Sequence, residues 1–189
     1  MRNLVYFVAI TLDGFIAAPD GSVDAFTPTP DFLQFIAAEY PETLPVHIRP
    51  HLGIADAPNK HFDTLVMGRK TYDPAVEAGL TSAYPHLRQY VFSRTLGTVD
   101  DPTVTVVAGD PLATVRELKL EDGLDIWLCG GGQLAGALAS EIDELIVKIN
   151  PTVIGSGTPL FTMEYQRNPW TLVDTATHSG GVLVAHYAR

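Results

Sequence analysis

Short apolar runs recur along this chain, and turn residues punctuate them. Leu4–Thr11 is continuous in β-branched and aromatic residues, the pattern of a strand covered on both faces. Asp63–Met67, Gln89–Phe92, Val104–Val107, Asp125–Cys129 and Ile142–Ile149 read as further strands. Between them the apolar period becomes helical. Phe32, Phe35, Ile36 and Tyr40 share one face of a helix over Pro30–Tyr40, which Thr29 can cap with Pro30 in the first turn. Other helices are predicted near Tyr72–Ala78, from an Asp110-Pro111 cap through Lys119, and over Gly132–Ser140. Trp170–Thr177 and Val182–Tyr187 flank Ser179-Gly180-Gly181, which predicts a C-terminal β-hairpin. Strands alternating with helices and closed by a hairpin predict an α/β fold: a mixed, mostly parallel sheet flanked by helices. No repeat or linker divides the chain, so residues 1–189 read as a single domain. In the Pro41–Asn59 stretch, Pro41, Pro45, Pro50 and Pro58 exclude regular structure, and a loop of that length reads as a functional insertion or flap.

Composition narrows the function. A 189-residue chain with 46% hydrophobic and 18% charged residues can bury a full core. Its net charge of -10, with no basic stripe, excludes an ordinary nucleic-acid binder. No run approaches the ~20 apolar residues of a membrane span. Arg2 followed by Leu4–Ile10 has the flavour of a signal peptide, but Asp13-Gly14 interrupts it and no cleavage site follows, so a soluble cytoplasmic protein is expected. Cys129 is the single cysteine, which fits a reducing compartment, and its place at the end of an apolar run suggests a packed thiol. His47 and His51 stand four apart, but Pro50 between them and the lack of a completing carboxylate argue against a metal site.

Candidate chemistry gathers at strand ends. Gly130-Gly131-Gly132 joins a predicted strand to a predicted helix, where bare backbone and a helix N-terminus suit a phosphate. A tight turn without a ligand is the alternative. Gly68, Arg69 and Thr71 follow another strand, and Ser93 and Arg94 a third. In an open α/β sheet such ends share one edge, so these residues could converge on one phosphorylated ligand. Each cation alone could equally be a solvated surface residue.

Thr11–Ala17, Val66–Thr71, Phe92–Arg94, Leu128–Gly132, Asp143–Leu145 and Gly155–Phe161, in that order, resemble the dihydrofolate-reductase-like superfamily, and most closely the branch containing the reductase domain of bacterial riboflavin biosynthesis. The resemblance implies NADPH as cofactor. It implies that Ala9 and Ile16 flank the nicotinamide and that Arg69 and Thr71, in the Gly68 segment, meet the phosphates. Ser93 and Arg94 would hold the 2′-phosphate, and Gly130, Gly131, Gly132, Gln133 and Leu134 would cradle the pyrophosphate. It also implies a cis Gly130–Gly131 peptide and a homodimer. Gln133 stands where dihydrofolate reductases often carry a cation, and Lys148 where they often carry threonine.

Hydride transfer to a C=N bond is helped by a nearby acid. Asp31 is one candidate, although a first-turn carboxylate can simply complement the helix dipole. Asp13 is another, although Asp-Gly is also a turn signature. Lys148 could bind an anionic group of the substrate or point to solvent. The expected function is NADPH-dependent reduction of a pyrimidine- or pterin-like heterocycle; the alternative is an inactive nucleotide- or heterocycle-binding protein on the same fold.

Overall fold

The computed structural model describes residues 1–189. The elements follow in the order β1 (Leu4–Thr11), β2 (Phe15–Ala17), α1 (Pro30–Glu39), β3 (Phe62–Gly68), α2 (Arg69–Glu77), β4 (Arg88–Phe92), β5 (Val104–Val107), α3 (Pro111–Leu120), β6 (Asp125–Gly130), α4 (Gly132–Ala137), β7 (Glu144–Asn150), β8 (Thr158–Pro159), β9 (Thr171–Thr177) and β10 (Leu183–Ala188). Eight of these strands form one sheet in the order β5-β4-β3-β6-β1-β7-β10-β9. The first six are parallel; β10 runs antiparallel to β7, and β9 antiparallel to β10. The remaining pair, β2 and β8, makes a small ladder at the end of β1.

The unbroken apolar run of β1 has a direct structural cause: both its faces are covered. Leu4, Tyr6, Val8 and Ile10 look to one side, where α3 contributes Val115 and Leu118 and α4 contributes Leu134 and Ala135. Val5 and Phe7 look to the other, where Phe32 and Ile36 of α1 and Tyr72 of α2 pack. Trp127 adds a buried bond, its indole N–H donating to the Phe7 carbonyl at 2.9 Å. No helix is long and apolar enough to cross a membrane.

Most boundaries expected from sequence shift by a residue or two, but α2 starts three residues earlier, at Arg69, directly from the end of β3. Asp110 caps α3 by accepting from the Leu112 N–H at 3.0 Å. Thr29 sits at the N-cap of α1 but makes no cap bond; its hydroxyl donates to Asp31 at 2.6 Å instead. The proline-rich stretch holds short 3-10 turns at Pro41–Thr43 and Arg49–Leu52. It is held to the rest of the fold by buried bonds. Glu42, 0% exposed, accepts from the backbone N–H groups of His61 at 2.7 Å and Phe62 at 2.9 Å. Arg49, 3% exposed, donates to the carbonyls of Pro41 at 2.7 Å and Ala57 at 2.5 Å. Buried charges are stable only when bonded in this way.

Candidate functional site

The carboxyl ends of the parallel strands lie along one edge, and the candidate residues divide between its two halves. Register sets the first half. Gly68, last in β3, pairs with Phe92, last in β4, so Ser93 and Arg94 leave the sheet beside the start of α2. On the other side of β3, Met67 pairs with Gly130 after a register shift that bulges Cys129 out of the ladder. The Gly130–Gly131 peptide is cis, as the resemblance implied.

Space around these glycines shows what each is for. A Cβ at Gly130, whose φ is 132°, would lie 3.8 Å from the Thr71 hydroxyl and 3.9 Å from Ile16 Cδ1. A Cβ at Gly68 would stand 3.8 Å from the Gly131 nitrogen. Ile16, Gly68, Thr71, Gly130 and Gly131 therefore meet around one bare patch of backbone. Gly132 differs. A Cβ there would collide with the Pro159 carbonyl oxygen, and its own carbonyl accepts from the Thr162 N–H at 2.9 Å. The third glycine of the triplet is required by packing against the chain at 159–162, and the first two leave the open backbone. Leu134 is buried in the core, so only its backbone faces this edge, whereas Gln133 is exposed in the first turn of α4.

The cations are not equivalent. Arg69 forms an ion pair with Asp73 one helical turn on. Arg94 is exposed and has no ion pair or hydrogen bond. Ser93 Oγ accepts from the backbone N–H groups of Thr95 at 3.2 Å and Leu96 at 3.1 Å, which fixes the turn that presents Arg94.

The second half is formed by β1, β7, β10 and α1. Ala9 pairs with Lys148 across β1 and β7, and Lys148 in turn with Val184 of β10. The Lys148 ammonium lies 3.9 Å from the centroid of the Phe7 ring. It keeps some accessible surface and makes no ion pair. Crowding by protein atoms desolvates it and pushes it down to about 8. Burial pushes its neighbour, the Cys129 thiol, up to about 12, consistent with a packed rather than reactive thiol.

Both candidate carboxylates accept several hydrogen bonds. Asp31 is exposed and accepts from the Ser179 hydroxyl, the Thr29 hydroxyl and the Ser179 N–H at 3.0 Å, which hold it well below the usual carboxylate range. It fastens the start of α1 to the turn between β9 and β10. Asp13 accepts from the Thr11 hydroxyl at 2.6 Å and the Gly155 N–H at 2.7 Å, which lower it, and so pins the loop after β1 to the loop after β7. Both are ionised at neutral pH and engaged in contacts between loops.

Sequence reasoning missed His178. Its ring lies 4.4 Å from Phe35 and 5.1 Å from Phe32, and its Nε2 is buried without a partner. No local signal could have found it, because its neighbours on α1 lie far away in sequence.

Comparison with known proteins follows the same lines. A model of the RibD C-terminal domain matches residues 2–184. The Bacillus subtilis (strain 168) uncharacterized protein YyaP is 32% identical over 98% of this chain and 94% of its own length. A Shewanella sp. PV-4 protein named for riboflavin biosynthesis superposes with a TM-score of 0.73 at 24% identity, covering 100% of this chain and 99% of that one. Dihydrofolate reductase from Enterococcus faecalis, solved with NADP(H) and RAB-propyl, superposes with a TM-score of 0.66 at 14% identity, covering 99% and 96%. The two structural likenesses show a common dihydrofolate-reductase-like fold.

Proposed function

The chain belongs to the RibD C-terminal domain family, and on that premise we propose that it is an NADPH-dependent reductase acting on a small pyrimidine- or pterin-like heterocycle. The observation that carries this reading is the bare backbone where Gly68, Gly130 and Gly131 meet Thr71 and Ile16. A Cβ at these positions would fill space that a pyrophosphate needs, while the Thr71 hydroxyl and the start of α2 offer donors to an anion. Bound there, NADPH would supply hydride to the acceptor carbon.

The chain's own residues bind and orient. Gly130 to Leu134 would offer backbone N–H groups, and Arg69 and Thr71 would meet phosphate oxygens. Arg94, unpaired on its Ser93-braced turn, would hold a 2′-phosphate. Ala9 and Ile16 would form the apolar contact to the nicotinamide and help exclude water. The eight-stranded sheet draws strands from both ends of the chain, which supports reading residues 1–189 as one domain. A homodimer would use edge strand β9, whose Leu172 and Val173 are 54% and 56% exposed.

A second reading has a specific observation in its favour. With Asp31 and Asp13 both held ionised, a non-catalytic heterocycle-binding protein on this fold would need no further acid. Absorbance assays of NADPH oxidation against dihydrofolate and the aminopyrimidine of riboflavin synthesis separate the two. Oxidation with either substrate supports the reductase. Tight binding of cofactor and heterocycle without turnover supports the binder.

A further inference from the structure

One cation at the start of α2 is already engaged. Gly68 is the N-cap, no side chain caps the helix, and its first turn holds no acid. Arg69 and Lys70 are its first two residues, and Arg94 follows β4, the parallel neighbour of β3. Lys70 and Arg94 are exposed and form no ion pair, whereas the Arg69 Nε donates to Asp73. We propose that Asp73 is a resident competitor for the cofactor phosphate. It holds Arg69 back along α2 while the site is free and yields it to a phosphate oxygen on binding, and so sets both the affinity for the dinucleotide and the ease of its release. This rests on the reductase reading of the same site and adds a residue that does not itself touch the cofactor.

Asp73 stands one turn, about 6 Å, further along the helix axis than Arg69. A guanidinium bonded there lies beside the helix rather than ahead of its free N–H groups, where Gly68 approaches Gly131. Helix stability does not account for the pair. A cation in the first turn with its acid one turn later runs against the helix dipole, and the reverse order is the favourable one. The two side chains are 40% and 32% exposed, so the pair is wet and exchangeable, unlike the Arg2–Asp63 pair, where Arg2 is 3% exposed. A phosphate offers the guanidinium a stronger, bidentate partner. Once it takes Arg69, the Asp73 carboxylate is left without a cation one turn from the bound anion, and the two repel. Both effects oppose binding, and both favour departure of the oxidised dinucleotide at the end of a cycle.

The test is calorimetric titration of NADPH, at low salt, into the unaltered protein, Asp73→Asn, Arg69→Gln and the double variant. Asp73→Asn should bind NADPH about threefold to fivefold more tightly than the parent, and the gain should shrink in about 0.5 M salt. In the Arg69→Gln background, with no guanidinium to release, the same substitution should gain less than about twofold. Exchange of the Arg69 Nε proton, followed by NMR without cofactor, should be severalfold faster in Asp73→Asn. The inference is overturned if Asp73→Asn leaves NADPH affinity unchanged, if the gain is as large without Arg69, or if the proton exchanges at the same rate in both proteins. Weaker binding by Asp73→Asn would also overturn it, because the carboxylate would then be aiming Arg69 at the phosphate. Inorganic pyrophosphate is titrated in parallel. If pyrophosphate binds and NADPH does not, the reductase reading falls while the pyrophosphate affinities still judge Asp73; if neither binds, both readings fall.

Discussion

The two halves of the strand edge are built by different means. Around β3, β4 and β6 the site consists of backbone and small residues that sit next to their own strands: Gly68 with Thr71, Ser93 with Arg94, Gly130 with Gly131. Around β1, β7 and α1 it consists of large side chains brought from distant parts of the chain: Phe7, Phe35, Lys148 and His178. The first arrangement suits a ligand whose phosphates are read by N–H groups and is insensitive to most side-chain changes. The second suits discrimination, because swapping one ring or one charge changes what fits. On the proposed reading, cofactor and substrate recognition would be divided between the halves, and substitutions should separate them.

The largest expected effect is at Gly132. Alanine there drives a Cβ into the Pro159 carbonyl and should cost about 3 kcal/mol of stability, measured by chemical denaturation. A loss under about 0.5 kcal/mol would mean that the 159–162 segment yields easily, and the assignment of this glycine to packing would be wrong. Next comes Lys148→Met. The folded-state value of Lys148 lies below its ordinary 10.5, at about 8, so folding disfavours its charged form. The cost is full below about pH 8 and is relieved as the pH rises towards 10.5, because over that range the unfolded chain holds the proton and the folded one does not. The variant should therefore be more stable than the parent by about 2 kcal/mol at neutral pH, with the gap closing in alkali. A variant less stable at every pH would show that the lysine stem packs more favourably than its charge costs.

Gly68→Ala sharpens the contrast from the cofactor side. The new Cβ meets only ordinary contacts, the nearest 3.8 Å away, so stability should hold while NADPH affinity drops roughly tenfold by calorimetry. Unchanged affinity would remove this glycine from the cradle. The smallest effect belongs to Asp31→Asn. Its depressed folded-state value means that its contribution is present above the ordinary carboxylate range and is lost only as the pH falls through that lower value. The variant should show slightly weaker resistance to acid unfolding and keep most of any reductase activity. Loss of activity with the fold intact would restore Asp31 as the acid.

This division also explains what could be read from the sequence. The strands, the hairpin and the strand-end placement of the glycine, hydroxyl and cation candidates were legible because each rests on local information: an apolar run and the residues directly at its end. Even there the three adjacent glycines could not be told apart, since the collision that requires Gly132 involves Pro159, which is remote in the chain. Asp31 was a candidate acid through its resemblance to the helix-borne acid of dihydrofolate reductases, and its bonds to Ser179, nearly the full length of the chain away, had no mark in the local sequence. Lys148 was legible as a position on β7 but not as an unpaired charge, because the lack of a partner is a property of the assembled fold. His178 had no local mark at all. The proline-rich stretch looked loose for the same reason: the buried bonds of Glu42 and Arg49 do not show in its composition.

The central claim is that separate strand ends form one edge shaped for a 2′-phosphorylated dinucleotide, and competitive titration of NADPH and NADH on the unaltered protein and on Arg94→Gln tests it most directly. The account predicts that NADPH binds roughly tenfold or more tightly than NADH and that Arg94→Gln removes most of this difference without lowering stability. Equal affinity for both dinucleotides, or binding of neither, would contradict it.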